Sequence, residues 1–399
     1  MLSRRAALLM IGLMVGGFKS YKINGQTVSY GAGGIGLVPK GDAPWQQLQL
    51  SAAGYLTLNA AINGTPISAV IDTGATRSII NAALAQRLAL PVSGTAAASA
   101  LTQQVRGTLY RVASLGVSGI SRYDIDISSY DVSAVEGAIS RGLPFVVGQD
   151  VLARAVLEVD FVKDRARLNP SVRVDQVKGF AKLPISLGKS NLANLPVTLD
   201  DQIQSEAIID LGSSVPCSIS EAFAQENGLL DGKLTSTSMT VGAEGAMISR
   251  IFSLRELRFG PFTLRNVPAC AVSNWKFSRP MNLGWPIFSA FSFILDAPGR
   301  ALWLAADAER LKQPIPRDRS GIGAARLRDR LLIRHVAENS PAALSGLREG
   351  DQVIAINGHV IDDVYPPPGE RLGEKPAGTQ IHMTLADGRL VTFTLADYF

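Results

Sequence analysis

Two aspartates carry the chemistry that this sequence suggests. Each one ends an apolar run and is followed, after one residue, by a glycine: Asp72 in AVIDTGATRSII and Asp210 in AIIDLGSSVPCSI. One such segment could be an ordinary strand end before a turn. Two in one chain favour a pair of carboxyl groups held close together. Such a pair keeps one proton over a range of pH, because two like charges at close range do not both ionise easily.

A carboxyl pair that shares one proton can hydrolyse an amide without a covalent intermediate. The ionised member takes a proton from water, and the protonated member donates a hydrogen bond to the carbonyl under attack. Gly74 and Gly212 would let backbone N–H groups approach the carboxylates closely. Thr73 could hydrogen-bond across a twofold axis, and Ser213 could hydrogen-bond the outer oxygen of Asp210.

Other catalytic systems find little support. All three histidines, His335, His359 and His382, lie in the C-terminal part of the chain, so a Ser-His-Asp or Cys-His site near the aspartates is not available. Two cysteines cannot supply four zinc ligands, and no phosphate-binding or dinucleotide loop is present. We therefore expect no metal and no cofactor. The net charge of +5 is spread along the chain, so we also expect no nucleic-acid partner.

The two aspartate segments belong to a longer internal repeat. Gly107 and Gly245 each follow their aspartate by 35 residues and sit among small and polar residues, which predicts the tips of two hairpins that act as flaps. Gly148 in FVVGQDVL and Gly284 in MNLGWPIF also keep the spacing and predict tight crossings beneath the aspartate loops. The sequence therefore predicts two copies of one β-rich unit, over residues 45–172 and 180–308.

Local signals support a mainly β chain. Short apolar runs alternate with turns, of which Asn63-Gly64 is the strongest and Asp200-Asp201 is its counterpart. Asn81 and Ser220 each precede a short helical segment and are good helix N-caps. At 399 residues, the chain has room for two or three domains.

Both ends of the chain differ from the repeats. Residues 1–30 contain Arg4 and Arg5 followed by an apolar run, which predicts a signal peptide or an N-terminal anchor. We therefore expect export, to a bacterial periplasm or to a membrane facing it. An Arg-rich linker begins near Arg317, and residues 318–399 predict a small α+β domain with a helix begun by Ser340.

The two cysteines leave two interpretations open. In an oxidising compartment Cys217 and Cys270 could form a disulfide, which would stabilise the fold by roughly 3–4 kcal/mol if unstrained. Alternatively, both remain buried thiols. No histidine lies near either cysteine in the sequence, so neither is expected to be a nucleophile.

The repeats resemble aspartic peptidases of the pepsin and retropepsin type over residues 50–306. VIDTGAT and IIDLGSS are similar to the active-site loops of that family, and FVVGQDVL and MNLGWPIF are similar to its second signature. The resemblance implies two retropepsin-like β-barrel lobes related by a pseudo-twofold axis, with Asp72 and Asp210 as the catalytic pair. It implies an endopeptidase acting on extended peptides or unfolded proteins, and with both lobes in one chain a monomer suffices.

One residue departs from the family pattern. Lobe two has Leu211 where the family has a Thr or Ser whose hydroxyl braces the opposite loop, so the brace would be one-sided. This departure keeps an alternative open, in which the chain is a non-catalytic bilobal peptide-binding protein of the cell envelope.

The C-terminal segment SPAALSGLREGDQVIAINGHVI resembles PDZ domains of bacterial proteases. That family binds a peptide C-terminus by strand addition, with the terminal carboxylate received in a glycine-containing loop. The matching residues here are Gly321, Ile322, Gly323 and Ala324. Three prolines in VYPPPGERL, where the family has its second helix, are incompatible with a continuous helix. The peptide groove could therefore be reduced, with the domain acting as a scaffold.

Overall fold

The computed structural model describes most of the chain. The described residues are 18–23, 26–31, 35–36, 42–51, 54–100, 102, 104–130, 145–172, 177–188, 190–242, 245–362, 364–365, 367 and 370–399, with backbone alone before residue 42 and at 99 and 242. The apolar part of the predicted signal segment lies outside these ranges. Residues 18–23 and 26–31, which overlap the end of that segment, form a two-stranded antiparallel hairpin.

The N-terminal half is built almost entirely from strands. The strands are β1 (Phe18–Ile23), β2 (Gln26–Gly31), β3 (Ile35–Gly36), β4 (Gln46–Gln47), β5 (Gln49–Leu50), β6 (Leu56–Ile62), β7 (Thr65–Ile71), β8 (Ile79–Ile80), β9 (Val92–Ser99), β10 (Gln104–Val117), β11 (Ile120–Tyr130), β12 (Phe145–Val147), β13 (Val156–Asp160) and β14 (Arg165–Asn169). Among the described residues of this half, two short helices are present, α1 (Ala82–Arg87) and α2 (Gln149–Leu152).

The middle of the chain repeats this plan. Its strands are β15 (Ala181–Pro184), β16 (Ser186–Leu187), β17 (Ala193–Leu199), β18 (Ile203–Asp210), β19 (Cys217–Ser220), β20 (Ser236–Gly242), β21 (Gly245–Phe259), β22 (Phe262–Val272), β23 (Met281–Gly284), β24 (Phe291–Asp296) and β25 (Ala301–Ala306). Its helices are α3 (Glu221–Glu226) and α4 (Trp285–Phe288), followed by a 3-10 turn over Arg310–Lys312.

In each half, six strands close into a barrel. The first ring runs β6-β7-β12-β8-β11-β10, and β10 pairs back to β6. The second runs β17-β18-β23-β19-β22-β21, and β21 pairs back to β17. Each strand of the second ring is the eleventh after its counterpart in the first. The prediction of a mainly β chain with two copies of one unit is confirmed.

A six-stranded sheet joins the two lobes, in the order β15-β25-β24-β13-β14-β4. At its centre the equivalent strands β13 and β24 pair antiparallel, with Val156 opposite Asp296 and Asp160 opposite Ser292. Pairing between equivalent strands is what a pseudo-twofold axis between two lobes requires. One continuous apolar core runs through both barrels, from Leu48 to Leu304, so the two lobes form a single packed body.

Predicted turns and caps lie where the sequence placed them. Asn63 and Gly64 both have positive φ in the β6–β7 turn, as a two-residue hairpin of this type needs. The Asn81 side chain accepts a hydrogen bond from Leu84 N and begins α1, and Ser220 caps α3 in the same way.

The small C-terminal domain has its own sheet and core. Its elements are β26 (Ile322–Arg326), β27 (Leu331–Val336), α5 (Pro341–Leu344), β28 (Gln352–Ile356), β29 (His359–Val360), a 3-10 turn (Leu372–Glu374), β30 (Gln380–Leu385) and β31 (Leu390–Thr394). The sheet order is β26-β27-β28-β30-β31, with β29 beside β28. Ser340 caps α5, as predicted.

This domain is docked on the second lobe. Ala337 and Tyr398 pack in an apolar cluster with Ile251, Cys270 and Val272 of that lobe. Arg317, in the linker, donates hydrogen bonds from Nη2 to Ser253 Oγ and the Asn266 carbonyl, and from Nη1 to the Phe399 carbonyl. Within the described ranges, no helix has the length and apolar character needed to cross a membrane.

Candidate active site

The two aspartates lie at the ends of equivalent strands. Asp72 follows β7 and Asp210 ends β18, and each strand pairs in parallel with a crossing strand, β12 or β23. The Asp72 N–H donates to the Val147 carbonyl at 3.1 Å, which fixes the backbone at the strand end. The fold thus brings together two carboxyl groups that are 138 residues apart in the sequence.

The two carboxyl groups lie close together, and each affects the pKa of the other. Asp72 Oδ1 accepts from the backbone N–H groups of Gly74 and Ala75, both at 2.8 Å. Asp210 Oδ1 accepts from Gly212 N at 2.9 Å. The predicted role of the two glycines, to offer backbone N–H groups to the carboxylates, matches this geometry.

The same glycines also pack across the lobe interface. A Cβ on Gly74 would lie 2.6 Å from Asp210 Cγ, and a Cβ on Gly212 would overlap the Asp72 carboxyl group. Each active-site loop therefore lies directly against the carboxyl group of the opposite loop. No side chain larger than hydrogen fits at either position without moving an aspartate.

Thr73 supplies the brace between the loops. Its buried hydroxyl donates to the Ile209 carbonyl at 2.7 Å and accepts from Leu211 N at 2.8 Å. Leu211 is fully buried and returns no side-chain hydrogen bond, since it has no polar atom. One threonine satisfies two backbone groups of the opposite lobe, and the brace is one-sided, as the sequence predicted.

The Ser213 backbone N–H donates to the Asp210 carbonyl at 3.1 Å, but its hydroxyl does not bond the Asp210 carboxyl, so the predicted role of that hydroxyl is wrong. The Ser213 hydroxyl hydrogen-bonds the backbone of Val215, donating to O at 3.3 Å and accepting from N at 3.2 Å. Asn282 Nδ2 donates to Asp210 Oδ2 instead, at 2.5 Å. The sequence signal for Asn282 was a polar residue inside an apolar run, and its counterpart in the first lobe is Val146.

The surroundings of the pair raise the pKa of both carboxyls. For Asp72, burial raises the pKa, and the N–H groups of Gly74 and Ala75 oppose that effect. For Asp210, burial and the nearby charge of Asp72 raise the pKa well above its ordinary value, and the Asn282 amide opposes them. A buried carboxyl pair with both pKa values raised can hold one shared proton over a range of pH.

Gly148 and Gly284 lie beneath the active-site loops. A Cβ on Gly148 would lie 2.5 Å from the Arg77 carbonyl carbon, and one on Gly284 would overlap the Val215 carbonyl oxygen. Gln149, next to Gly148, supports the loop from below by donating from Nε2 to the Thr73 carbonyl at 2.6 Å. These glycines occupy the tight crossings that the spacing predicted.

The paired strands β9–β10 and β20–β21 form two long hairpins, one from each lobe. Near their tips, Thr102 Oγ1 donates to Met247 Sδ at 3.6 Å, so the hairpins meet across the lobe boundary. Gly245 pairs with Gly242 at the second tip and has φ +105°. Gly107 does not lie at a tip. It sits within β10 between Ala96 and Tyr130, where a Cβ would overlap a carbonyl oxygen.

Sequence reasoning missed Tyr55, which lies near the pair. Burial raises the pKa of its hydroxyl to about 12, and the charges of Asp72 and Asp210 add to that effect. The preceding residue, Gly54, accepts a hydrogen bond from Trp285 Nε1 of the second lobe at 2.9 Å. No motif marks Tyr55, because its position depends on how a loop of one lobe packs against the other.

Cys217 and Cys270 are free buried thiols, and the structure holds no disulfide between them. They lie on neighbouring parallel strands in which Cys217 is opposite Ala269 and Ser218 is opposite Cys270. Side chains alternate between the two faces of a sheet, so the two sulfur atoms lie on opposite faces. Cys270 Sγ hydrogen-bonds Ser218 Oγ at 3.4 Å.

In the predicted carboxylate-binding loop of the C-terminal domain, backbone N–H groups already bond side chains of neighbouring residues. Gly321 N donates to Asp318 Oδ2 at 2.8 Å, and Ile322 N donates to Ser320 Oγ at 3.2 Å. Ala324 packs against the domain's own core, and Gly323 lies against Met239 of β20. The side chain of Asp318 thus bonds the Gly321 N–H group of this loop.

The described residues contain no group of three or more His, Cys, Asp or Glu side chains arranged to hold a metal ion.

Comparisons with known families agree with this architecture. Residues 58–154 match the profile of the gag-polyprotein aspartyl protease, and residues 195–287 match that of the aspartyl protease. Residues 332–386 match the profile of the PDZ domain. Among curated proteins, none matches the chain. Each aspartyl protease match contains one of the two aspartates and its crossing-strand glycine.

Proposed function

Because the chain carries two retropepsin-like aspartyl protease domains followed by a C-terminal PDZ domain, we propose that it is an aspartic endopeptidase. One observation carries the proposal: the carboxyl groups of Asp72 and Asp210 lie close together, each against the glycine of the opposite loop. Such a pair can activate water and polarise a peptide carbonyl at the same time.

The two aspartates have different roles in this proposal. Asp72 accepts two backbone N–H bonds, which favour its ionised form, and acts as the base that takes a proton from the attacking water. Asp210 holds the shared proton, since burial and the charge of Asp72 raise its pKa. It donates that proton's hydrogen bond to the substrate carbonyl as negative charge develops on the oxygen. The proton taken up by Asp72 then passes to the departing amine.

The substrate is an extended peptide or an unfolded protein segment lying between the two lobes. The two long hairpins, which meet at Thr102 and Met247, suit a cleft that closes over such a chain and excludes water. The PDZ domain would contribute a second peptide contact, for a substrate or a partner. Export to a periplasm, or anchoring on a membrane facing it, remains part of this proposal and rests on the N-terminal sequence alone.

The test is cleavage of an unfolded protein from acidic to neutral pH, scored by mass spectrometry. Asp72→Asn and Asp210→Asn should each abolish the cuts, because either change removes the shared-proton pair. Asp164→Asn is the matched control, since Asp164 is an exposed turn residue. Cuts that persist in both dyad variants would contradict the proposal.

A second candidate function rests on Leu211. With a leucine in place of the second hydroxyl, the chain could bind peptides in the cleft without cleaving them. Folded protein that binds an unfolded substrate but yields no product at any pH would favour this binding function.

A further inference from the structure

Arg371 of the PDZ domain lies at the protease body, far along the chain from either aspartate. Its Cδ and Cζ would each be 3.6 Å from a Cβ on Gly54, which is ordinary van der Waals contact. Ser214, in the active-site loop of the second lobe, borders the same point, with its Cβ at 3.5 Å. Arg371 therefore meets elements of both protease lobes beside the active-site loop.

Tyr55 connects Arg371 electrostatically with the catalytic pair. The charges of Asp72 and Asp210 raise the pKa of the Tyr55 hydroxyl, and the charge of Arg371 lowers it. All three charges act on one side chain, so the guanidinium and the two carboxyl groups lie around the same tyrosine.

The structure holds Arg371 in place but leaves part of it accessible. Arg371 Nη1 contacts Glu374 Oε1 at 2.6 Å, and about a third of the arginine side chain (32%) is exposed. The following residues are fixed, because Leu372 packs against the PDZ core and the Gly373 carbonyl accepts from Arg319 N at 2.7 Å. A guanidinium has five donors in a planar fork, so one contact leaves others for a ligand.

We propose that Arg371 is a specificity-determining residue that the PDZ domain contributes to the substrate cleft. It favours peptides with an acidic side chain in the subsite bordered by Gly54, Tyr55 and Ser214. Arginine pairs with carboxylates through two parallel hydrogen bonds, which sets orientation as well as charge. This inference rests on the proposed function, since it assumes that peptides occupy the cleft.

The test uses decapeptides that differ only by Glu or Gln at one position, scanned along the peptide. At the position facing Arg371, the intact protein should prefer Glu over Gln by about fivefold, the size expected for a partly exposed ion pair. Arg371→Gln should remove the preference, and Arg371→Glu should reverse it. Arg348→Gln, an exposed arginine of the same domain, is the matched control and should leave it unchanged.

Glu374→Gln provides a second, independent test. Removing the carboxylate that competes for Arg371 should strengthen the preference for Glu, in the opposite direction to the effect of Arg371→Gln. A preference that is the same in the intact protein and in all Arg371 and Glu374 variants would overturn the proposal.

A binding measurement separates this inference from the proposed function. The same peptides, fluorescently labelled, are titrated by anisotropy into protein carrying Asp210→Asn, with and without Arg371→Gln. One outcome is that the intact protein cleaves no peptide while Arg371→Gln still weakens binding of the Glu peptide and not of the Gln peptide. In that case the proposed function fails and the specificity role stands. If cleavage occurs and neither cleavage nor binding depends on residue 371, only the specificity role fails.

Discussion

Gly74 lies against the carboxyl group of Asp210, so that a Cβ at residue 74 would come within 2.6 Å of Asp210 Cγ. The reciprocal contact joins Gly212 and Asp72. The glycine of each loop is therefore part of the opposite half-site. The position of each carboxyl depends on the loop that the other lobe contributes, and neither lobe builds the pair alone.

Gly74→Ala should lower kcat by about 100-fold, because a shift of about 1 Å in a catalytic group costs that much. The added methyl must displace the Asp210 carboxyl, whereas KM should change less, since residue 74 lies beneath the reacting atoms. Steady-state kinetics on a fluorogenic peptide would measure both constants.

Gly116→Ala is the control for that change. The nearest atom to a Cβ at residue 116, among the described residues, is Ser121 Oγ at 3.9 Å, and the backbone there is ordinary strand. Equal losses of activity in the two variants would show that the close contact between Gly74 and the Asp210 carboxyl has no catalytic importance.

Asp210→Asn should abolish activity and stabilise the fold at neutral pH. Burial and Asp72 raise the pKa of Asp210 in the folded protein, so its protonated form is the one that folding favours. Its contribution to stability is fully present below its ordinary value of 3.8 and is lost as the pH rises through the folded-state value. A neutral asparagine avoids that loss.

We therefore expect a gain in unfolding free energy at neutral pH. Urea denaturation at neutral and at acidic pH would measure it, and the gain should shrink under acid. A variant less stable than the intact protein at neutral pH would show that the Asp210 charge is better accommodated than its surroundings indicate.

Asn282→Val should move the alkaline limb of the pH–activity profile to higher pH. The Asn282 amide lowers the pKa of Asp210 by donating to the ionised form. Without the amide, the pair should keep its shared proton to a higher pH. Valine is the residue that the first lobe has at this place. A pH profile of kcat/KM would report the shift.

Asn194→Val provides the matched control. Asn194 is buried in β17, the strand next to β18, and its side chain hydrogen-bonds Ser186 of β16. Among the described hydrogen bonds, its side chain makes none to either aspartate. Its replacement should leave both limbs of the profile in place. A shift of the same size in both variants would mean that general destabilisation, not the amide at residue 282, moves the limb.

Thr73→Val should destabilise the protein by about 1–3 kcal/mol, the cost of leaving a buried donor or acceptor without its partner. The change leaves the Leu211 N–H and the Ile209 carbonyl without the Thr73 hydroxyl as hydrogen-bond partner. Thr73→Ser keeps the hydroxyl and should retain most of the stability. Equal destabilisation in the Ser and Val variants would show that the two hydrogen bonds of the Thr73 hydroxyl are not the source of the effect.

The cysteines should remain reduced when the folded protein is exposed to air or to a mild oxidant. Their side chains lie on opposite faces of one sheet, and burial raises the pKa of both, to about 11 at Cys270. Thiol titration after denaturation should therefore find both free, and reductant should not change the melting temperature. Loss of both titratable thiols in a monomer would contradict the register of β19 and β22.

The regular spacing of residues along the sequence predicts much of this fold. The two Asp-x-Gly loops, the Asn63-Gly64 turn and the caps Asn81 and Ser220 are local signals, and each acts through residues close in sequence. The repeat could be predicted because several landmarks kept one spacing, and two copies of one β unit can bury their edges by docking on each other.

The sequence alone thus determined which residues form the carboxyl pair, because the chemistry needs two aspartates at matched strand ends. Only the tertiary structure decided what surrounds them: the Asn282 side chain rather than that of Ser213 bonds the Asp210 carboxyl, Tyr55 comes near the pair, and Arg371 of the third domain lies against Gly54. It also separated Cys217 from Cys270 and placed Gly107 inside a strand. These relations depend on the register of paired strands and on contacts between lobes, which residues distant in sequence set together.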